Sequence, residues 1–194
     1  MDRCGGRANG LQAPLLRGLA VVVALCAAGC GGAPAKEEPA AAKEASAVAN
    51  LSPKSGSTVR GVIAFAQRGN RVVVAAQFFE LFPGPHSLYI HEVGNCSSPN
   101  AASAGPVWNI AGDARKRTGD LPQVVAGSEG RADLSTTVSG ISVGTGRPDD
   151  VIGHSVVIHA GVDPDPKPVF GERNGWIACG VIQLNNGATL KDLL

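Results

Sequence analysis

Two runs of mostly β-branched and apolar residues, Val59–Phe65 and Arg71–Phe78, face each other across Gly69-Asn70. A Gly-Asn step between such runs is a hairpin signal, because tight two-residue turns need positive φ. No window of the chain sustains a 3.6-residue apolar period, so an α-helical core is excluded and the fold must be built from strands. Ser87–His91, Val124–Ala126, Arg131–Ser135, Ser155–His159 and Trp176–Gln183 supply further short strands, with Gly127–Gly130 predicting a second hairpin. The expected architecture is all-β, a sandwich or closed barrel of short strands. Two long segments without periodicity, Gly94–Gly119 and Gly161–Gly175, are the loops on which a site would be built.

The N-terminal part has a different character. Arg3, Arg7 and Arg17 precede an apolar run from Leu19 to Ala28, followed by Gly29-Cys30. A basic stretch, about ten apolar residues and small residues read as a secretory signal, too short to span a bilayer. The Cys directly after the small residues predicts a lipoprotein signal over residues 1–30, with Cys30 lipidated. An ordinary signal peptide with an incidental Cys is the alternative. Residues 31–47 hold Ala, Glu, Lys, Pro and Gly but no large apolar side chain, and read as a flexible tether. Residues 48–194 then form one domain of ordinary size. The expected location is a bacterial cell envelope, lipid-anchored through Cys30. Gly31, rather than Asp, after Cys30 points to the outer membrane and periplasm.

Charge excludes one class of partner. The chain has 17 Lys+Arg and 16 Asp+Glu; residues 1–30 carry three Arg and one Asp, leaving 14 cations against 15 anions. With no basic run and no aromatic ladder, nucleic-acid binding is not expected. The five cysteines narrow in the same way. Cys4 and Cys26 leave with the signal and Cys30 is the lipidation site, so Cys96 and Cys179 remain as an even pair in an exported domain. They predict one disulfide, the alternative being two buried thiols. Closing a loop of about 80 residues stabilises by roughly 4 kcal/mol in the chain-entropy model.

Four phrases carry a resemblance: Gly84–Glu92 (Gly-Pro-His-Ser-Leu-Tyr-Ile-His-Glu), Ala104–Asn109 (Ala-Gly-Pro-Val-Trp-Asn), Gly153–Gly161 (Gly-His-Ser-Val-Val-Ile-His-Ala-Gly) and Ala178–Ile182 (Ala-Cys-Gly-Val-Ile). Together they resemble the copper/zinc superoxide dismutase family in its bacterial form. The likeness runs from about Leu51 to Gln183 and implies the family's fold, a Greek-key β-sandwich or barrel of about eight strands with two long loops. It also implies a set of metal ligands that this chain matches only in part.

The family's first copper strand carries two ligands at alternate positions, and alternate residues share a face. Here those positions are Tyr89 and His91. His86 corresponds to a structural His, packed and hydrogen-bonded. The imidazole that bridges copper and zinc in the family is replaced by Val107, which has no lone pair. Arg117 stands where the last zinc His is expected. Gly119-Asp120-Leu121 keeps the zinc carboxylate as Asp120, but one carboxylate cannot hold a zinc that takes four donors. Asp120 then becomes a loop carboxylate with Arg117 or Lys116 as partner. His159 matches the last copper ligand, His154 a non-ligand His, and Asp163 an Asp that orients ligand imidazoles from behind. The anion-steering Arg of the family is Trp176 here, with Arg173 near it in sequence.

What remains is His91 and His159 as residual copper candidates, Tyr89 as a weak third ligand, and no zinc. The functional expectation is an envelope lipoprotein with a degenerate dismutase-like domain in a structural or binding role. The alternative is a superoxide dismutase or copper-binding protein working through a copper-only site.

Overall fold

A computed structural model describes residues 45–113, 115–162 and 175–185. Cys30, Asp163, Arg173, the signal segment and most of the tether lie outside the described residues. The described chain is all-β: β1 (Ser46–Pro53), β2 (Arg60–Arg68), β3 (Arg71–Phe79), β4 (Gly84–His91), β5 (Asp120–Ala126), β6 (Ala132–Val138), β7 (Ser155–His159), β8 (Trp176–Val181) and β9 (Gln183–Leu184). One short 3-10 turn, Ala102–Ala104, is the only helical element among the described residues.

The strands pair in the order β5-β4-β7-β8-β1-β2-β3-β6, with β9 beside β1. The end strands β5 and β6 meet, so the sheet nearly closes on itself. The result is the Greek-key barrel expected, with every ladder antiparallel. β1 links the two halves: residues 46–51 pair with β2, and Ser52 and Pro53 pair with β8. Ser46 and Ala47, assigned to the tether by composition, are already part of this strand, and Ala47 is wholly buried. Small residues gave them no apolar signal; burial under the barrel wall fixes them instead.

The first hairpin forms as read. Arg68 opposes Arg71, and Gly69 takes the positive φ (59°) that a two-residue turn demands. The second does not become a ladder. β5 pairs with β4 and β6 pairs with β3, while their shared turn is closed by Gly127 N–H on Arg131 O and Gly130 N–H on Gly127 O (both 3.0 Å). The chain leaving β3 docks there, Leu81 N–H donating to Gly130 O, so each strand finds its longer partner on its outer side. The segment read as one strand over 176–183 is interrupted at Ile182, whose N–H turns to His154 O. Between β6 and β7 lies a third long connection, residues 139–154, ordered by Ser142, Asp149 and Asp150.

Burial shows where the site lies. β6 alternates exposed and covered residues, as a strand with one wet face should. β4 ends in six consecutive buried residues, and β7 is buried throughout. Leu88, Ile90, Val156 and Ile158 point into the barrel with Ile63, Phe65, Val74 and Phe78. Each such side chain contributes about 1.5–3 kcal/mol by leaving water. The opposite face of β4 and β7 is buried by the connection from Glu92 to Gly119. That connection is tied to β4 by Trp108 N–H on Ile90 O (2.9 Å) and Ile90 N–H on Gly119 O (2.8 Å). It is tied to β8 by the Cys96–Cys179 disulfide, which spans 83 residues.

Candidate metal centre

The outer face of β4, β7 and β8 brings together Tyr89, His91, His159 and Trp176. Strand alternation places Tyr89 and His91 side by side on β4, and His159 closes β7 opposite Trp176. The rings of His91 and His159 lie 6.4 Å apart between centroids. Trp176 sits against both, at 4.5 Å from His91 and 5.7 Å from His159. Tyr89 meets His159 edge-on at 4.9 Å. A second, smaller apolar cluster of Ala101, Ala104, Val157, Trp176 and Cys179 packs beside these rings.

The two histidines are fully enclosed: His91 is 0% exposed and His159 is 1% exposed. His91 Nδ1–H donates to Gly105 O at 2.7 Å, which fixes its tautomer and leaves the lone pair on Nε2. That Nε2 has no hydrogen-bond partner, nor does either nitrogen of His159, nor the Trp176 indole N–H. Buried polar atoms are rarely left so. Burial holds the His91 imidazole down to about 4, with the Gly105 carbonyl opposing and the Arg117 charge adding to the effect. Burial, followed by His91 and Arg117, holds His159 down to about 3. Both rings are therefore neutral at pH 7, the state in which imidazole ligates a metal.

The zinc side of the centre is built differently. Val107 bridges to His91 through its backbone, and its isopropyl group takes the place of a donor. Arg117 meets Asp120 through Nε and Nη2, both at 2.9 Å from Oδ1, while its backbone N–H caps Oδ2 at 2.8 Å. Its guanidinium also lies over the Tyr89 ring, 4.9 Å from the centroid. Of the two partners expected for Asp120, Arg117 is the one that the fold selects. A guanidinium thus holds the carboxylate that would face zinc, and no group of three His, Cys, Asp or Glu able to hold a metal occurs among the described residues. The residues present do not fit a four-donor zinc. In sequence Arg117 stood out as a missing ligand and as one of two candidate partners of Asp120; its contact with the Tyr89 ring needed the loop to fold back onto β4.

The other histidines behave as packing groups. His86 has its nitrogens 2.7 and 2.8 Å from the carbonyls of His159 and Phe82. His154 donates from Nδ1 to Glu92 O at 2.9 Å and stacks on Trp108 at 4.1 Å.

A family model described as copper/zinc superoxide dismutase (SODC) matches residues 59–182. The chain belongs to the copper/zinc superoxide dismutase family. It is 31% identical over 146 residues to "Superoxide dismutase [Cu-Zn] 2" of Brassica juncea, covering 67% of this chain and 93% of that protein. It is 30% identical over 159 residues to "Extracellular superoxide dismutase [Cu-Zn]" of Brugia pahangi, covering 74% and 78%. Within that family, the donor set here is reduced to two imidazole nitrogens and the neighbouring phenol. Divalent copper prefers a tetragonal set of nitrogen and oxygen donors, and two neutral nitrogens fill half of it.

Proposed function

We propose that this protein is an envelope lipoprotein whose superoxide dismutase-like domain has exchanged turnover for a structural or binding role. The observation that carries the proposal is the Arg117–Asp120 pair. A protein cation neutralises the one remaining zinc carboxylate and lies on Tyr89, where dismutation would call for metal donors. Trp176, buried at the position of the family's steering Arg, supports the same reading. Electrostatic focusing accelerates anion encounter by about 10- to 1000-fold, and an indole provides none.

The test is to load the full chain with copper and zinc and to measure metal content and superoxide decay on one sample. The expected result is no stoichiometric zinc and no acceleration of decay. Turnover at a dismutase rate would overturn the proposal. Anchoring has its own check: Cys30→Ala should move the protein from the membrane fraction to the soluble fraction. The partner it serves in the envelope is to be sought on that membrane.

A second reading is favoured by the unpartnered nitrogens of His91 and His159. In it the domain is a copper-only dismutase or copper-binding protein, with Tyr89 as a third ligand. It requires stoichiometric copper that is lost in His91→Ala and in His159→Ala, together with turnover if it is an enzyme.

A further inference from the structure

We infer that the end of the barrel where the tether joins is a membrane-facing surface, on which Arg68 and Arg71 bind the phosphate headgroups of anionic phospholipids. The inference rests on the lipid anchoring proposed above and adds which face meets the bilayer and what it recognises. Its first support is where the chain enters the barrel. Ala45, the first described residue, accepts from Gln67 N–H at 2.9 Å, beside the β2–β3 turn. The Gln67 side chain fastens the rest of this end. Its Nε2 donates to Gly69 O (2.7 Å) and Arg71 O (3.2 Å), and its Oε1 accepts from Val143 N–H (2.8 Å). The turn, the 139–154 connection and the entry point of the chain are thus one connected surface. Arg60, Phe79 and the β5–β6 turn lie at the far end of the same ladders. Residues 31–44 are all that separates Cys30 from Ala45, so this end stays within about 50 Å of the anchor even at full extension.

The second support is charge. Arg68 and Arg71 are exposed and stand directly opposite each other in the ladder. Like charges so placed destabilise a strand pair, and an anion set between them relieves that cost. Arg147 extends the cationic surface from the 139–154 connection, with 62% of its side chain exposed. The carboxylates of that connection are turned onto protein donors. Asp149 accepts from Arg147 and from Ser142 Oγ; Asp150 accepts from the N–H groups of Gly144, Gly146 and Ile152. The far end is built differently, for Arg60 pairs with Glu80 there and Arg131 lies over the Phe79 ring.

The third support is apolar surface in the same place. Leu184 on β9 sits beside Gly144 and is 47% exposed, and Pro148 is exposed in the loop that carries Arg147. Cations flanked by apolar side chains suit the boundary between headgroups and acyl chains. Near an anionic surface each arginine raises the docked population by about 5-fold. The attraction fades within a Debye length, roughly 8 Å at physiological salt, so the face that the anchor holds nearest the bilayer is the one that gains it.

The experiment places the processed, lipidated chain in vesicles of phosphatidylcholine, with or without phosphatidylglycerol. A fluorophore is attached to Asn70→Cys, at the tip of the β2–β3 turn, or to Ser128→Cys, in the β5–β6 turn, and an uncharged water-soluble quencher is added. The expected result is shielding at position 70 on the phosphatidylglycerol vesicles alone, lost in high salt, with position 128 quenched on both. Arg68→Gln and Arg71→Gln should each lower the ratio of docked to detached protein by about 5-fold, and together by about 25-fold. Arg60→Gln with Arg131→Gln removes the same charge from the far end and should leave the ratio unchanged. Thermal melts establish that each variant is folded. The inference is overturned if position 70 is quenched equally on both lipids, if position 128 is the shielded one, or if the folded double variant of Arg68 and Arg71 docks as wild type does. If mass spectrometry finds no lipid on Cys30, the anchoring reading falls by itself. The surface is then judged by sedimentation of the same chain with phosphatidylglycerol vesicles: binding lost in the double variant supports it, and no binding overturns it.

Discussion

Acidification should destabilise the metal-free domain through two rings, and the size of the effect follows from their burial. His91 and His159 are held down to about 4 and about 3, against 6.5 for an imidazole in the unfolded chain. The folded state therefore binds fewer protons than the unfolded state wherever pH lies below 6.5 and above the folded values. Stability is fully present above pH 6.5 and falls as pH drops through it, levelling only below about 3. At pH 5 the unfolded rings are ~97% protonated while both folded rings remain neutral, so each costs about 2 kcal/mol and the pair about 4 kcal/mol relative to pH 8. That is a large part of the roughly 5–15 kcal/mol by which domains are stable. Urea unfolding of chelator-treated protein, followed by tryptophan fluorescence at pH 8, 6 and 5, measures it directly. His91→Gln should remove about half of the slope, and His91→Gln with His159→Gln nearly all of it. Equal unfolding free energies at pH 8 and pH 5, or an undiminished slope in the double variant, would refute the reasoning.

Reduction of Cys96–Cys179, which closes an 83-residue loop, should cost about 4.5 kcal/mol in the chain-entropy model. Differential scanning calorimetry with and without reductant should show a melt lower by roughly 10 °C or more. Gly119→Ala should be strongly destabilising, because a Cβ there would lie 2.1 Å from Ile90 O in the turn that pins the long loop to β4; the expected loss is about 2–4 kcal/mol, read by urea titration. Arg117→Ala should cost about 1–3 kcal/mol by stranding Asp120. Amide exchange should then speed up over residues 92–119, and Arg117→Lys should restore only part of the protection, since a lysine cannot reproduce the two-point contact.

Much of the site was legible because strand alternation is local. Parity along His86–His91 is enough to set Tyr89 and His91 on one face and turn Leu88 and Ile90 inward, and the ladder with β7 keeps that parity. The disulfide was legible by counting, since only two of the five cysteines, Cys96 and Cys179, follow residue 30. Val107 was legible as a lost donor because a side chain without a lone pair cannot ligate in any fold. Other features were not legible. β1 begins in small residues with little apolar contrast, and it is a strand because β2 and β9 pair with it. β5 and β6 looked like a hairpin because a turn signal says nothing of which edge each strand will prefer.

The chemistry of the centre divides along the same line. Residue identity settled the all-β class, the family, and the absence of a bridging imidazole, for these depend on neighbours in the chain or on what a side chain is made of. The tertiary structure decided that Arg117 would take the zinc carboxylate and lean on Tyr89. It also decided that Trp176 would pack against two histidines of which His91 Nε2 and both His159 nitrogens have no hydrogen-bond partner. Those relations join residues far apart in sequence, and they exist only once the barrel closes and the 92–119 segment lies across β4 to shut out water.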